Sequence, residues 1–146
     1  MIEDYYDLGE LSDEHIEMLR LADKLGREKF SPRAFQHDVD ASFPTENYHD
    51  LRDHGFLKLV IPKEFGGLGF SITEYAMIGA EIGKHCGATA LTFNMHQSSM
   101  LWSRYMYEME NLTPQEKVKF KRMRERQFRR VIEDDVIYSQ PISEGG

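Results

Sequence analysis

A turn followed by a helix start, within residues 57–83, constrains the fold more than any other feature of this sequence. An apolar run ends at Pro62 and three glycines follow within a few positions, which suits a tight reversal because glycine adopts positive φ freely. Ser71 precedes Glu74 by three residues, the spacing of a capping box in which each side chain accepts the other residue's backbone N–H. The stretch therefore predicts a glycine turn and a helix that begins at Ile72.

The rest of the chain is typical of helices separated by short connectors. The first helix is predicted to stop before Pro32, because the residue preceding a proline avoids the helical region. Thr113 and Glu116 form a second capping box, with Pro114 at the first helical position. The predicted helices cover residues 12–30, 44–55, 72–85, 88–109 and 114–131, with a connector at 31–43 and a short extended segment at 56–61. The predicted fold class is all-α, an irregular bundle of about five helices.

Both ends of the chain differ from this helical part. Residues 1–11 are acidic and aromatic, and we expect an arm that docks or frays. Residues 133–146 begin with three acidic residues and the β-favouring run Val136–Tyr138, which has no other strand in this chain to pair with. We therefore expect an acidic N-terminal arm, a helical domain over residues 12–132 and the start of a truncated β domain over residues 133–146.

Composition restricts the possible function classes. With 146 residues, 40% of them hydrophobic, the chain is long enough for one folded domain. A net charge of −7 disfavours nucleic-acid binding, because phosphate contacts would oppose the charge of the whole molecule. Cys86 is the single cysteine, the N-terminus is acidic where a targeting signal is basic, and no apolar run approaches the roughly 20 residues of a membrane span. These features predict a cytoplasmic protein.

Positive charge is concentrated in the last predicted helix. Residues 117–130 contain eight basic side chains and one acidic one, whereas residues 1–50 contain 13 acidic and five basic side chains. A solvated helix face is the plainer interpretation. The alternatives are a salt-bridge partner for the acidic half or for another subunit, and an anion site.

Polar side chains form a stripe along the helix predicted over residues 88–109, which is otherwise apolar nearly all round. Their alternating spacing of three and four residues places them on one face: Thr89, Thr92, His96, Ser99 and Ser103. One interpretation is a pocket wall, with Asn94 and His96 at its mouth supplying hydrogen bonds to a bound small molecule. The alternatives are a solvent-facing side, or small hydroxyls that permit close helix packing.

Other motifs are too incomplete to indicate a chemistry. Glu46 and His49 have the spacing of a di-iron ligand pair, but such sites need two pairs, and His85–Cys86 also lacks a second pair. No metal site is predicted. Gly67–Gly69 lacks the third glycine and the βαβ context of a dinucleotide fingerprint, and Ser98–Ser99 has no positioned base.

These turns and helix starts resemble the N-terminal domain of the acyl-CoA dehydrogenase family. The resemblance covers about Leu19 to Gly146 and rests mainly on Ile61–Gly69, the helix Ser71–Gly83 and Thr113–Lys117. Tyr138–Pro141 falls where the family carries an aliphatic or aromatic residue followed by Thr/Ser-Glu-Pro, with Gln140 replacing the glutamate. The run Phe93–His96 is similar to a bacterial branch close to flavin monooxygenases of the same fold.

The resemblance implies the N-terminal part of an FAD-dependent oxidoreductase of fatty acid metabolism that dehydrogenates an acyl-CoA between its α and β carbons. It implies that Tyr138 and Ser139 contact the flavin, and it makes the polar stripe a wall of the acyl pocket, with Thr92, Asn94, His96 and Ser99 as substrate-binding residues. The family's catalytic base is a glutamate of the C-terminal domain, so no catalytic residue is expected in this chain.

The resemblance also implies what the chain would need around it. FAD binding by these 146 residues alone is expected to be weak or absent. The expected partners are acyl-CoA, the missing β and C-terminal domains and further copies of the complete protein, without nucleic acid or membrane. Two alternatives stay open: a flavin-dependent monooxygenase of the same fold, which would consume oxygen with reduced flavin, and a non-catalytic helical oligomerisation domain, which would bind no flavin.

Overall fold

The computed structural model describes residues 5–139, apart from the side chain of Glu10, and contains no strand within that range. Its α-helices are α1 Asp13–Leu25, α2 Ser31–Val39, α3 Thr45–Asp53, α4 Ile72–Gly83, α5 Gly87–Met106 and α6 Pro114–Asp134. Shorter 3₁₀ turns lie at Leu8–Glu10, Phe56–Lys58 and Lys63–Phe65. A π-helical turn at Gly26–Phe30 joins α1 to α2, so the described α-helices form five continuous stretches. The predicted all-α bundle of about five helices is confirmed.

The first helix does not stop before Pro32, so the predicted connector at residues 31–43 is wrong over most of its length. α2 occupies Ser31–Val39, with Pro32 in its first turn. Just before it the hydrogen-bond ladder widens, and the backbone N–H of Ser31 donates to the carbonyl of Gly26, five residues back. The π turn loosens the ladder where a proline has no N–H to donate, so the chain continues as a new α-helical segment.

Residues 56–70 form a chain reversal rather than the extended segment predicted over 56–61. The apolar side chains of residues 56–61 show neither helix nor strand period because all of them are buried: Phe56, Leu57, Leu59, Val60 and Ile61. The backbone N–H of Gly69 closes the reversal by donating to the carbonyl of Ile61 at 2.8 Å. Gly66 and Gly69 have φ angles of 89° and 73°, so the predicted glycine turn is confirmed.

Both predicted capping boxes are present. The hydroxyl of Ser71 accepts from the backbone N–H of Glu74, whose carboxylate accepts from the N–H of Ser71 at 2.7 Å. Thr113 and Glu116 make the same pair of bonds at the start of α6. These reciprocal bonds satisfy backbone donors that a helix start otherwise leaves free, which is why α4 and α6 begin where the sequence predicts.

The core lies where α4 packs between α1 and α5, and α5 in turn packs on α6. Its largest side chains have almost no exposed surface and come from every part of the chain: Leu19, Phe30, Phe56, Ile78, Phe93, Met100 and Phe128. Burying a side chain of this size contributes about 1.5–3 kcal/mol to folding. Part of the N-terminal arm docks on this core, since the hydroxyl of Tyr6 donates to the carbonyl of Met77.

The segment after α6 has no regular structure from Asp135 to Ser139. Residues 140–146, which make up half of the predicted β-domain start and include Gln140, lie outside the described residues, as do residues 1–4 of the arm. Within residues 5–139, no helix combines the length and apolar character that a membrane span requires.

Candidate functional site

The polar stripe of α5 faces the interior of the molecule. Thr89 and His96 have no exposed surface, and Ser99 and Ser103 are 8% and 9% exposed. The solvent-facing interpretation of the stripe is therefore wrong. The exposed side of α5 includes two large apolar side chains, Leu91 at 62% and Trp102 at 67% exposure. An ordinary surface helix buries such large apolar side chains, although α5 does bury Phe93 and Met100 in the core.

His96 joins three parts of the chain. Its Nε2 atom lies 2.8 Å from the carbonyl oxygen of Leu57, and its Nδ1 atom lies 3.1 Å from the backbone nitrogen of Tyr138. Because the Tyr138 N–H can only donate, Nδ1 is the acceptor and Nε2 carries the hydrogen that is donated to Leu57. Burial lowers the pKa of His96, against a smaller opposing effect of the hydrogen bond to Leu57. The ring is thus a neutral link that fixes the C-terminal segment to α5.

Next to this link is a cavity of about 420 Å³, which we call the α5–α6 groove. Its lining residues are Ser99, Trp102, Ser103, Met123, Gln127, Tyr138 and Ser139. The hydroxyl of Ser103 donates to the side-chain oxygen of Gln127, which joins the two helices across the floor of the groove. The groove combines an aromatic ring and a thioether with a few hydroxyl and amide groups, which is the usual composition of a small-molecule site.

The structure brings together only some of the predicted site residues. Ser99, Tyr138 and Ser139 share the α5–α6 groove. Thr92 donates its hydroxyl to the carbonyl of Ala88 within α5 at 2.9 Å, and Asn94 is exposed and accepts a hydrogen bond from the hydroxyl of Tyr75. His96 lies behind the groove with both ring nitrogens bound to the backbone. Ligand contact by any of these residues stays a prediction.

Sequence reasoning missed three lining residues, Trp102, Met123 and Gln127. Trp102 belongs to the apolar part of α5, and nothing in the spacing of α5 indicates that this part borders a cavity. Met123 and Gln127 do leave a signal, because they stand four residues apart in an otherwise basic helix and so share one face. That face of α6 is the one that meets the groove.

The basic side chains of α6 mostly point outward, as the solvated-face interpretation predicts. The lysines and arginines from Lys117 to Arg122 are exposed, and the ion pair between Lys121 and Glu125 is long, at 4.0 Å. Arg124 differs, because its guanidinium stacks on the ring of Tyr107 at 4.3 Å. A second cavity, of about 390 Å³, opens on the basic face and includes Lys119, Arg122 and Arg126 in its lining.

The sequence matches the family model described as acyl-CoA dehydrogenase, N-terminal domain, over residues 12–110. It is 35% identical over 94 residues to cyclohex-1-ene-1-carbonyl-CoA dehydrogenase of Syntrophus aciditrophicus, covering 64% of this chain and 23% of that protein. It is 36% identical over 81 residues to acryloyl-CoA reductase (NADH) of Anaerotignum propionicum, covering 55% of this chain and 21% of that protein.

A third relative, 3-sulfinopropanoyl-CoA desulfinase of Variovorax paradoxus, is 32% identical over 77 residues, which is 53% of this chain and 19% of that protein. The matched part of the chain thus spans about a fifth of the length of these relatives. The family model covers the glycine reversal and the whole of α5, which forms one side of the groove. This chain therefore belongs to the acyl-CoA dehydrogenase family and contains its N-terminal domain.

Proposed function

We propose that this chain is the N-terminal part of an FAD-dependent, acyl-CoA dehydrogenase-like oxidoreductase, and that the α5–α6 groove forms one wall of its acyl and flavin pocket. The observation that carries the proposal is the bond from the Tyr138 N–H to Nδ1 of His96. It places the segment that the family resemblance assigns to the flavin beside the one described groove that also contains Ser99 of the polar stripe.

The exposed apolar side of α5 supports a site completed by further protein. Leu91, Trp102 and Tyr105 recur at helical spacing and are 62%, 67% and 39% exposed. Apolar surface gains about 25 cal/mol for each Å² removed from water, so this face favours a covering partner. In the proposed enzyme the β and C-terminal domains, and other copies of the whole protein, supply that cover.

The groove residues suit one edge of FAD. Trp102 offers an aromatic face, while Gln127 and Ser139 offer groups that can both donate and accept hydrogen bonds to a planar ring. FAD, when bound, supplies the hydride acceptor for dehydrogenation of the acyl chain. The described residues that line the groove carry no charge, so contacts to the diphosphate of FAD would come from elsewhere. That composition supports the proposal that this chain alone binds FAD weakly or not at all.

In this proposal the residues of this chain shape the pocket and hold its polar groups in place, and they do not take part in the chemical step. Ser99 and Ser103 keep their hydroxyls at the groove wall through bonds to the carbonyl of Met95 and to Gln127. Trp102 and Met123 exclude water from the apolar part of a bound acyl chain. In this proposal, protein outside these residues supplies the base that removes the α proton. The same outside protein determines the depth of the acyl pocket.

The relatives differ in the reaction that their names state, being a dehydrogenase, a reductase and a desulfinase, but each name contains a CoA derivative. Acyl-CoA as the substrate class is therefore the part of the proposal that they support best. A cytoplasmic location is proposed on one sequence feature alone, the single cysteine.

The test compares this chain with the longest product of the same reading frame. We expect the longer protein to purify yellow and to lose its flavin absorption under anaerobic titration with short saturated acyl-CoA thioesters, beginning with butyryl-CoA. The 146-residue chain is expected to purify colourless. A stoichiometrically yellow short chain would contradict the incomplete site. Oxygen consumption with reduced flavin would favour a monooxygenase, and a colourless long protein would favour a non-catalytic domain.

A further inference from the structure

Three ionisable side chains, one from α1 and two from the end of α4, meet away from the α5–α6 groove. Asp23 lies on α1, Glu81 on α4, and His85 follows the end of α4. Nε2 of His85 is 3.6 Å from Oδ1 of Asp23 and 3.8 Å from Oε1 of Glu81, and all three atoms lie within 4.8 Å of one another. Sequence spacing could not reveal this cluster, because Asp23 is far from the other two along the chain.

These distances are too long for hydrogen bonds, which need about 2.7–3.2 Å between nitrogen and oxygen. Nε2 of His85 is nevertheless buried and has no hydrogen-bond partner. Glu81 is also buried, with 2% of its side chain exposed. A buried ring nitrogen that faces two carboxylate oxygens without bonding either is left unsatisfied, which is costly for a buried polar atom.

The ring of His85 is held in this orientation from both sides. Its Nδ1 atom lies 3.2 Å from the hydroxyl of Ser31, which leaves Nε2 as the nitrogen that faces the carboxylates. The ring also lies against the backbone of Gly26, where an added Cβ would come within 2.0 Å of its Cδ2 atom. Gly26 begins the π turn, so the irregular helix and the missing side chain together make room for the ring.

The two carboxylates are held as well, each by a cation on its outer side. Arg27 donates to Oδ2 of Asp23 at 2.6 Å, and Lys84 donates to Oε2 of Glu81 at 2.6 Å. Oδ1 of Asp23 also accepts from Arg27 at 3.1 Å but keeps a further lone pair. Oε1 of Glu81 is turned toward His85.

We propose that Asp23, Glu81 and His85 bind one divalent transition-metal ion of the zinc class. Bonds of about 2.0–2.2 Å in a tetrahedral site place neighbouring ligand atoms roughly 3.3–3.6 Å apart, close to the two distances from Nε2. One imidazole nitrogen and two carboxylate oxygens suit Zn²⁺, Co²⁺ or Mn²⁺, and water would complete the coordination. Ser31 then acts on the ring as the outer hydrogen-bond partners of metal-bound histidines do. This proposal does not depend on the proposed flavin enzyme.

The experiment titrates the untagged 146-residue chain with Zn²⁺ at neutral pH, using calorimetry and the ring-nitrogen resonances of its histidines. We expect one ion per chain and a shift confined to His85. His85→Gln, Asp23→Asn and Glu81→Gln should each weaken binding at least tenfold. His49→Gln, a change of an exposed histidine on α3, is the matched control and should leave binding unchanged.

Gly26→Ala tests the geometry without removing a ligand, because its methyl group would displace the His85 ring; we expect a loss of about tenfold or more. The shifts of the histidine resonances of the wild-type chain on addition of Zn²⁺ test the proposal even if a variant does not fold. Absence of stoichiometric binding, a shift of histidines other than His85, or binding unchanged in His85→Gln would overturn the proposal. A His85 that takes up a proton on acidification but no Zn²⁺ would overturn it equally.

Discussion

The backbone N–H of Tyr138 donates to Nδ1 of His96 at 3.1 Å, while Nε2 of the same ring lies 2.8 Å from the carbonyl of Leu57. One buried imidazole therefore fixes the C-terminal segment, α5 and the reversal before α4 to one another. The bonds also determine the tautomer, which stays neutral with its hydrogen on Nε2.

Replacing His96 with alanine should destabilise the domain and free the C-terminal segment. The variant leaves the carbonyl of Leu57 buried without its donor, which costs about 1–3 kcal/mol, and it opens a cavity beside α5. Urea unfolding measures the loss of stability, and hydrogen exchange at the Tyr138 amide measures the release of the C-terminal segment. His49→Ala, on an exposed part of α3, should change the free energy of unfolding by less than about 0.5 kcal/mol. Unchanged protection at Tyr138 would contradict the linking role.

Stability should fall as the pH falls through the range in which histidine titrates. Burial lowers the pKa of His96 below its ordinary 6.5, so near and below pH 6.5 the unfolded chain binds more protons at this residue than the folded chain. This contribution is therefore fully present above pH 6.5 and is progressively lost below it. Urea unfolding at pH 7.5 and pH 5.5 measures the loss. His96→Gln should reduce the difference in the free energy of unfolding between the two pH values. An equal difference in the wild-type protein and the variant would contradict this assignment.

Gly67→Ala should disrupt the reversal although its backbone needs no positive φ. An added Cβ would lie 2.0 Å from the carbonyl oxygen of Ile61, a backbone atom that cannot move aside without opening the turn. We expect a loss of about 1–3 kcal/mol in the free energy of unfolding, as in other overpacked sites. Gly87→Ala at the start of α5 is the control, since nothing lies within 4 Å of its added Cβ. Gly87→Ala should leave the free energy of unfolding unchanged or raise it by about 0.4–1 kcal/mol. Equal losses in the two variants would contradict the predicted clash at Gly67.

The start of α4 should depend on Ser71. Ser71→Ala removes the hydroxyl that accepts the Glu74 N–H, and such losses cost about 0.5–2 kcal/mol. Thermal unfolding followed by circular dichroism measures the effect. Thr73→Ala, an exposed position in the first turn of the same helix, should have a smaller effect. Equal losses in both variants would mean that the cap contributes nothing.

Trp102 should govern association of the isolated chain. Its side chain is 67% exposed on the apolar face of α5 and borders the α5–α6 groove. Trp102→Ser should reduce self-association in sedimentation measurements on the short chain and lower the flavin content of the longer protein. Phe35→Ser, at a 76% exposed position on α2, is the matched control for loss of an exposed aromatic ring. Reduced flavin content in both variants would argue against a specific role for this face.

Local sequence signals determined where α4 and α6 begin and which family the chain belongs to. Ser71 and Thr113 cap their helices through partners three residues away, and the glycines from Gly66 to Gly69 specify their turn through φ and close backbone approach. Such features depend on neighbours along the chain, so sequence alone reveals them. Two local signals misled: Pro32, whose effect the preceding π turn removes, and the apolar run over residues 56–61, which forms part of the reversal instead of an extended segment.

Only the tertiary structure decided which side of α5 is buried. Where a helix is apolar nearly all round, its periodicity defines faces but not which face meets the core, so the polar stripe could equally have faced solvent. The bonds of His96 to Leu57 and Tyr138 join residues about 40 positions apart in the sequence. Asp23 and His85 meet although they are even further apart along the chain. Contacts of that kind follow from how helices pack against one another, and no spacing pattern along the chain encodes them.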